Sequence, residues 1–273
     1  MIPPPARKRF GQHFLEPAWA DKVVRAISPG PDDTIIEIGP GRGAITTRLA
    51  AHARVLAYEI DRDLAAMLRS TAPPALGIVE RDFLDVGADE VRQELARGGP
   101  SGRLRVAGNL PYNVAAPILF RLIALFNAGL PIDDATLMLQ REVADRLLAR
   151  PGTKDYGVLT VLVRHQADVE PLLQLPPGAF RPPPRVRSTL LRLRLHAASP
   201  ATVDPEQLAA LTKTVFMRRR KTLLNALRPF PAAARVPARE ALLRAGVDPL
   251  RRPETLTIAE LVSLVDAFAS LRR

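Results

Sequence analysis

Four consecutive residues, Asn109-Leu110-Pro111-Tyr112, bring together groups that could act on the exocyclic amine of a nucleobase. Such an amine is a poor nucleophile because its lone pair is delocalised into the ring. Acceptors on its two hydrogens localise that lone pair, and uncharged acceptors do so without a strong base. Asn109 offers a side-chain carbonyl oxygen, and the proline holds the Leu110 carbonyl in a fixed direction. Tyr112 offers a flat face on which a flipped base can stack. The rate would then come from positioning and electrostatics. A lone N-x-P-Y is more simply a strand-to-helix turn, so its meaning depends on the elements that carry it.

Residues 104–107 read as a strand running straight into the motif. Further upstream, residues 34–38 form a β-branched run of the kind a buried parallel strand needs. It ends in a turn carrying Gly39, Gly41 and Gly43, stiffened by Pro40, and a helical pattern begins at Ala44. A second apolar run, 55–58, ends in Glu59. Strand, glycine turn, helix, strand and acid make half of a nucleotide-binding βαβ unit. Dinucleotide enzymes use G-x-G-x-x-G with a pyrophosphate at the helix N-terminus. Here the spacing is G-x-G-x-G, with carboxylates nearby at Glu37 and Glu59. An acid at the end of the second strand can take both ribose hydroxyls of an adenosine, and nothing in the turn demands a phosphate. S-adenosylmethionine, with a ribose, a sulfonium and no phosphate, therefore fits better than NAD. Residues 76–79 read as a third strand, and Asp82 lies just past it, where open α/β sheets bind ligands. It could accept a hydrogen bond from the adenine amine of the cofactor.

The 273 residues suffice for one large domain and a small one. Lys and Arg number 39 against 28 Asp and Glu, a formal charge of +11 that points to a polyanionic partner, nucleic acid first. The absence of cysteine excludes disulfides and thiolate metal sites, and the four histidines lack paired spacing, so no metal is expected. No apolar run is long enough to span a membrane, and no hydrophobic segment follows the basic N-terminal residues. The expected compartment is the cytoplasm.

Residues 7–15 carry Phe10, Phe14 and Leu15, more apolar surface than a free basic tail holds cheaply. They are expected to pack back and wall the cofactor pocket. Helices are expected at 17–27, 86–96, 117–126 and 141–148, and strands at 135–140, 156–163 and 189–195. Residues 175–187 hold five prolines and Phe180, either a linker or a stiffened loop that aims its aromatic. Beyond residues 196–202 the periodicity turns helical, which divides the chain at 1–196 and 197–273. In the second part Arg218, Arg219, Arg220 and Lys221 form a run of cations expected to meet RNA phosphates.

In this order and spacing, K-R-F-G-Q-H-F-L (8–15), E-I-G-P-G-R-G (37–43), Y-E-I-D (58–61), D-F-L (82–84) and N-L-P-Y (109–112) resemble the ribosomal RNA adenine dimethyltransferase family. L-Q-R-E-V-A-D-R-L (139–147), P-G-T-K-D-Y-G (151–157), F-R-P-P-P-R-V-R-S (180–188) and R-R-K-T-L-L-N-A-L (219–227) extend the resemblance over nearly the whole chain. It implies an α/β, Rossmann-like methyltransferase sheet with a small all-helical C-terminal domain, acting as a monomer. The implied reaction moves four methyl groups from S-adenosylmethionine to two adjacent adenosines near the 3′ end of small-subunit rRNA, in the assembling subunit. By matching position, cofactor contacts fall on His13, Leu15, Gly39, Glu59, Asp82 and Asn109. Catalytic contacts fall on Asn109, Leu110, Pro111 and Tyr112, with Phe180 over the target base opposite Tyr112.

Two positions depart from the family pattern. The family often has Asn where this chain has His13, and a protonated His13 near a sulfonium would not help. It often has Leu where this chain has Arg42, which is expected in solvent. Three other readings compete. One is the related antibiotic-resistance enzyme acting on large-subunit rRNA, against which the Phe180 loop and the R-R-K-T-L-L-N block speak. Another is an RNA-binding assembly factor whose methylation is secondary. The last, a NAD-dependent oxidoreductase, is disfavoured by the glycine spacing.

Overall fold

The computed structural model describes residues 13–99, 102–111, 113–198 and 203–271. Every residue of Asp33–Ile38 is buried, as a β-branched strand covered on both faces should be. It is β2 of nine strands among the described residues. The others are β1 (Phe14–Leu15), β3 (Arg54–Glu59), β4 (Leu76–Glu80), β5 (Arg103–Asn109), β6 (Ile132–Gln140), β7 (Ala167–Leu175), β8 (Phe180–Arg181) and β9 (Ser188–Leu195). Seven of them form one sheet in the order β4-β3-β2-β5-β6-β9-β7. Strands β2 to β6 pair in parallel, and β9 runs antiparallel to β6. The chain moves outward through β3 and β4, then returns to β5 on the other side of β2. That reversal opens a crevice at the carboxyl ends of β2 and β5, the usual ligand position of such sheets.

The helices are α1 (Pro17–Ile27), α2 (Thr46–Ala50), α3 (Arg62–Thr71), α4 (Ala88–Arg97), α5 (Ala115–Asn127), α6 (Arg141–Leu148), α7 (Val158–Arg164), α8 (Pro205–Phe216), α9 (Leu223–Ala226), α10 (Ala238–Arg244) and α11 (Ile258–Ser270). No helix among the described residues is long and apolar enough to cross a membrane.

The described chain packs as two compact units. The first holds the residues up to Ala144 together with Asp168–Leu195; the second holds Asp145–Ala167 together with the residues from His196 onward. The break expected after residue 196 thus misses an earlier segment that belongs with the second unit. The reason is packing: Tyr156 and Val161 are buried in one cluster with Leu208, Val215 and Phe268, and the Tyr156 ring meets Phe216 edge-on at 5.8 Å. The strand expected at 156–163 is also a helix, α7. Gly157 caps it, and the Thr160 hydroxyl, 3.2 Å from the Gly157 amide, donates to the Arg146 carbonyl at 2.6 Å. Its aliphatic residues reflect burial in that core rather than strand pairing.

The first unit is anchored at the end of the sheet opposite the crevice. Arg105 is 4% exposed and spends its guanidinium on two buried carboxylates, Asp134 and Asp33, each at 2.9 Å. It also donates to the carbonyls of Ile27 and Ser28, 2.9 and 3.0 Å away. These carbonyls end α1 and have no partner within the helix, so one side chain ties α1 to β2, β5 and β6. Arg192 adds a hydrogen bond to Ala26 at 2.8 Å.

Candidate active site

At the open end of the crevice β2 turns sharply. Gly39, Gly41 and Gly43 take positive φ of 67°, 59° and 80°, conformations a side chain would strain. Close approach fixes two of them further. A Cβ on Gly41 would come within 3.2 Å of the Phe14 ring, and one on Gly43 within 2.8 Å of Leu68. The turn is held to β3 by the Gly41 amide, which donates to Glu59 Oε2 at 2.9 Å, while Glu59 Oε1 takes the Asp61 amide at 2.9 Å. Burial pushes the Glu59 carboxyl above its ordinary value, against the pull of those amides.

Two adjoining clefts share Gly39, Ile60 and Pro111. One is lined by His13, Phe14, Leu15, Glu37, Glu59, Asn109 and Leu110 among others. The other is lined by Tyr58, Arg81, Asp82, Phe83 and Ile118. The structure therefore brings together His13, Leu15, Gly39, Glu59, Asn109, Leu110 and Pro111, and sets Asp82 in the adjoining cleft. Asp82 Oδ1 accepts from the Leu84 amide at 2.9 Å, which orients the carboxyl and leaves it further acceptor capacity. Tyr112 lies outside the described residues, as do residues 7–12 of the N-terminal stretch.

Asn109 ends β5. Its Nδ2 donates to the main-chain carbonyl of His13 at 2.9 Å, which fixes which end of the amide is the oxygen and leaves Oδ1 as an acceptor. Leu110 is 1% exposed, with its amide 3.2 Å from the Met138 carbonyl. Its side chain is core, and only its carbonyl can serve a ligand. Leu15, 8% exposed, likewise walls the cleft as part of the core.

The His13–Leu15 segment packs back as expected. Strand β1 pairs with β8, Phe14 opposite Arg181 and Leu15 opposite Phe180, and Glu16 bridges Arg181 at 3.2 Å. His13 Nδ1 stands 2.7 Å from the Pro182 carbonyl. A carbonyl only accepts, so Nδ1 carries the proton of this bond. Arg42 is not in solvent: its guanidinium lies 4.2 Å from the centre of the Phe14 ring, in a cation–π contact that clamps the segment onto the glycine turn.

Phe180 does not reach the mouth. It is 1% exposed and packs with Leu15, Met138, Ala179 and Leu190, with no free face for a base. The prolines after it aim the chain, but pairing with β1 turns the ring into the core. Arg219 also differs from expectation. It is bound to Glu254 at 2.7 Å and to the Lys154 carbonyl at 3.0 Å, which makes it an internal strut of the second unit. Arg218, Arg220 and Lys221 are exposed.

Glu37, in sequence merely an acid beside the glycine turn, is part of the cleft wall. Glu37 is 1% exposed; its Oε1 accepts from Thr46 at 3.0 Å, and Oε2 has no hydrogen-bond partner among the described residues. Burial pushes its carboxyl up to about 8, and the Glu59 charge adds to this. An enclosed acid with a spare oxygen at a cleft wall suits a cationic ligand group. No group of three or more His, Cys, Asp or Glu among the described residues could hold a metal ion. The walls carry three carboxylates, Glu37, Glu59 and Asp82, while the two arginines among them are engaged by neighbours, Arg42 with the Phe14 ring and Arg81 with Glu90 at 3.7 Å. Such a lining fits an adenosine ligand bearing a positive charge.

Comparison with known proteins agrees with that chemistry. The profile of the family described as ribosomal RNA adenine dimethylase matches residues 5–270. The chain is 42% identical to the ribosomal RNA small subunit methyltransferase A of Acinetobacter baylyi over 266 residues, 96% of this chain and 92% of that one. It is 40% identical to the protein of the same name from Yersinia pestis, covering 96% and 93%. Among solved structures, a dimethyladenosine transferase from Plasmodium falciparum shares the fold with a TM-score of 0.74 at 22% identity, covering 94% of this chain and 98% of that one. The 23S rRNA methyltransferase ErmE has a TM-score of 0.64 at 26% identity, covering 94% and 99%.

Proposed function

The chain belongs to the ribosomal RNA adenine dimethylase family, and from that footing we propose how its residues carry out the reaction. It is an S-adenosylmethionine-dependent methyltransferase that dimethylates the exocyclic amines of two adjacent adenosines near the 3′ end of small-subunit rRNA. When bound, S-adenosylmethionine supplies an electrophilic methyl group on a sulfonium. Glu59 holds the ribose hydroxyls, Asp82 the adenine amine and Gly39 the close backbone approach. The main chain of His13 and Leu15 walls the cleft, and Glu37 balances the positive charge of the amino-acid end.

The observation that carries the catalytic reading is the Asn109–His13 hydrogen bond. It turns the amide so that Oδ1 is free to accept one hydrogen of the target amine, while the Leu110 carbonyl accepts the other. The lone pair is then drawn out of the ring and aimed. No strong base is needed, because the amine nitrogen becomes acidic only after it is methylated. Tyr112 serves as the stacking face. Arg218, Arg220 and Lys221 of the helical second unit contact phosphates, with Arg219 as their brace.

In this proposal the first unit is the methyltransferase domain and the second an RNA-binding domain, and the protein acts as a monomer on the assembling small subunit. The test incubates the protein and S-adenosylmethionine with small subunits that lack the modification, followed by mass spectrometry of the digested rRNA. Dimethyladenosine at two neighbouring positions is expected. No dimethyladenosine in that rRNA, with methylation appearing instead when large subunits are supplied in a parallel reaction or in neither, would overturn the assignment.

A further inference from the structure

The strand register places a second feature beside Asn109. Asn109 lies opposite Met138, Met138 opposite Leu190, and Gln140 opposite Ser188. The residues that leave β6 and enter β9 therefore stand at the same end of the sheet as Asn109. With neighbouring strands about 4.8 Å apart, β9 lies roughly 10 Å across from it. The turn that enters β9 is Arg185-Val186-Arg187, exposed at all three positions between buried Pro184 and Ser188. The Arg141 amide donates to the Arg187 carbonyl at 2.9 Å, so this turn is fastened to the end of β6 rather than loose.

Its charges, like those of exposed Arg25 and Arg62, are not spent on a described partner, whereas many others on the first unit are. Arg48 holds Asp21, Arg69 holds Glu80, Arg92 holds Asp89, Arg97 holds Glu94 and Arg181 holds Glu16. Arg185 and Arg187 have neither an ion pair nor a side-chain hydrogen bond with any described residue. A solvated pair of arginines on a loop is unremarkable alone. Here they stand on a fastened turn beside the amine-holding residue, with β-branched Val186, 43% exposed, between them. Guanidinium forks match phosphate oxygens, and an apolar group between them suits a ribose or base face.

We propose that Arg185 and Arg187 form a phosphate-holding lip of the methyltransferase unit, gripping the single-stranded RNA next to the flipped adenosine. This rests on the RNA-methyltransferase reading above and extends it to a second contact surface, separate from the cations of the helical unit. The lip holds the strand in place while Asn109 and Leu110 hold the base, so its contribution falls on RNA binding.

The test compares the parent with Arg185→Gln/Arg187→Gln and Arg185→Lys/Arg187→Lys, using under-methylated small subunits as substrate. For the glutamine pair the KM for RNA should rise roughly tenfold or more, as two charge-assisted contacts are lost. The slope of log affinity against log salt should become shallower by about 1.4, two single-strand phosphate contacts. The lysine pair should recover most of the affinity, since a point charge still meets a phosphate, and cofactor binding should stay with the parent in both. Unchanged KM and salt slope in the glutamine pair, with an active parent, would overturn the lip alone. A loss that appears in kcat or cofactor affinity instead would also overturn it. An inactive parent would overturn the methyltransferase reading and the lip with it.

Discussion

Replacing Glu37 with glutamine should stabilise the cofactor-free protein at neutral pH and weaken its hold on the cofactor. Glu37 is enclosed, with Thr46 on one oxygen and no partner on the other among the described residues, and burial pushes its carboxyl from 4.5 to about 8. An acid whose folded value lies above its unfolded one binds a proton that the unfolded chain releases, so it lowers stability as pH rises. The penalty is absent below about pH 4.5, grows between 4.5 and 8, and is level above. At 1.36 kcal/mol per unit it amounts to about 3 kcal/mol at pH 7 and about 5 kcal/mol above pH 8. Glutamine is neutral throughout and keeps an acceptor for the Thr46 hydroxyl. Urea unfolding of parent and Glu37→Gln from pH 5 to 9 should therefore give stabilities that nearly coincide at pH 5 and diverge toward pH 8, with the variant higher. S-adenosylhomocysteine, which keeps the amino-acid ammonium, should bind the parent more tightly as pH rises from 6 to 8, with proton release in calorimetry. Parallel stability profiles would refute the placement of a protonated Glu37 in the empty site.

Three further outcomes follow from the same geometry. His13 holds Pro182 through Nδ1, and the amide nitrogen of asparagine can stand near that position while that of glutamine stands near Nε2; His13→Asn should thus recover most of the rate that His13→Gln and His13→Ala lose, about tenfold in kcat. Equal rates in the glutamine and asparagine variants would show that the ring does not brace the segment that orients Asn109. Arg105→Met leaves Asp33 and Asp134 buried without their shared cation, and chemical denaturation should register a loss of about 3–5 kcal/mol; a change under 1 kcal/mol would mean that the network does not hold α1 to the sheet. Arg42→Leu removes the cation from the Phe14 ring, a contact worth about 0.5–1 kcal/mol when partly exposed, and calorimetric cofactor affinity should change less than tenfold.

Much of the site was legible because chemistry and conformation coincide in its residues. Gly39, Gly41 and Gly43 all need left-handed backbone; Glu59 ends a strand and Asp82 lies just past one, and the short apolar runs of both strands are easily read. The Asn109 motif follows a strand directly, so its place at the crevice followed from order alone. What escaped depended on partners distant in sequence. Phe180 reads as an aromatic on a proline-stiffened loop, and only its pairing with Leu15, 165 positions earlier, turns the ring into the core. Arg219 sits in a run of cations, and nothing local distinguishes the one that Glu254 holds. The helix at 158–164 is aliphatic on all sides because it is buried in the second unit, so its period is hidden. Glu37 stands in a strand where a carboxylate appears merely adjacent. Its spare oxygen becomes visible only when every neighbouring donor is placed.

In the proposed reaction a neutral amide oxygen, oriented by the His13 carbonyl, activates the target amine. Single-turnover methylation of under-methylated small subunits by Asn109→Ala and Asn109→Asp, with cofactor affinity measured in parallel, tests it most directly. Alanine should bind S-adenosylhomocysteine within a few-fold of the parent yet lose methyl transfer by at least about a hundredfold. Aspartate restores an acceptor but cannot donate to His13, so it should remain well below the parent. Near-parental transfer by the alanine variant would mean that Asn109 Oδ1 does not activate the amine.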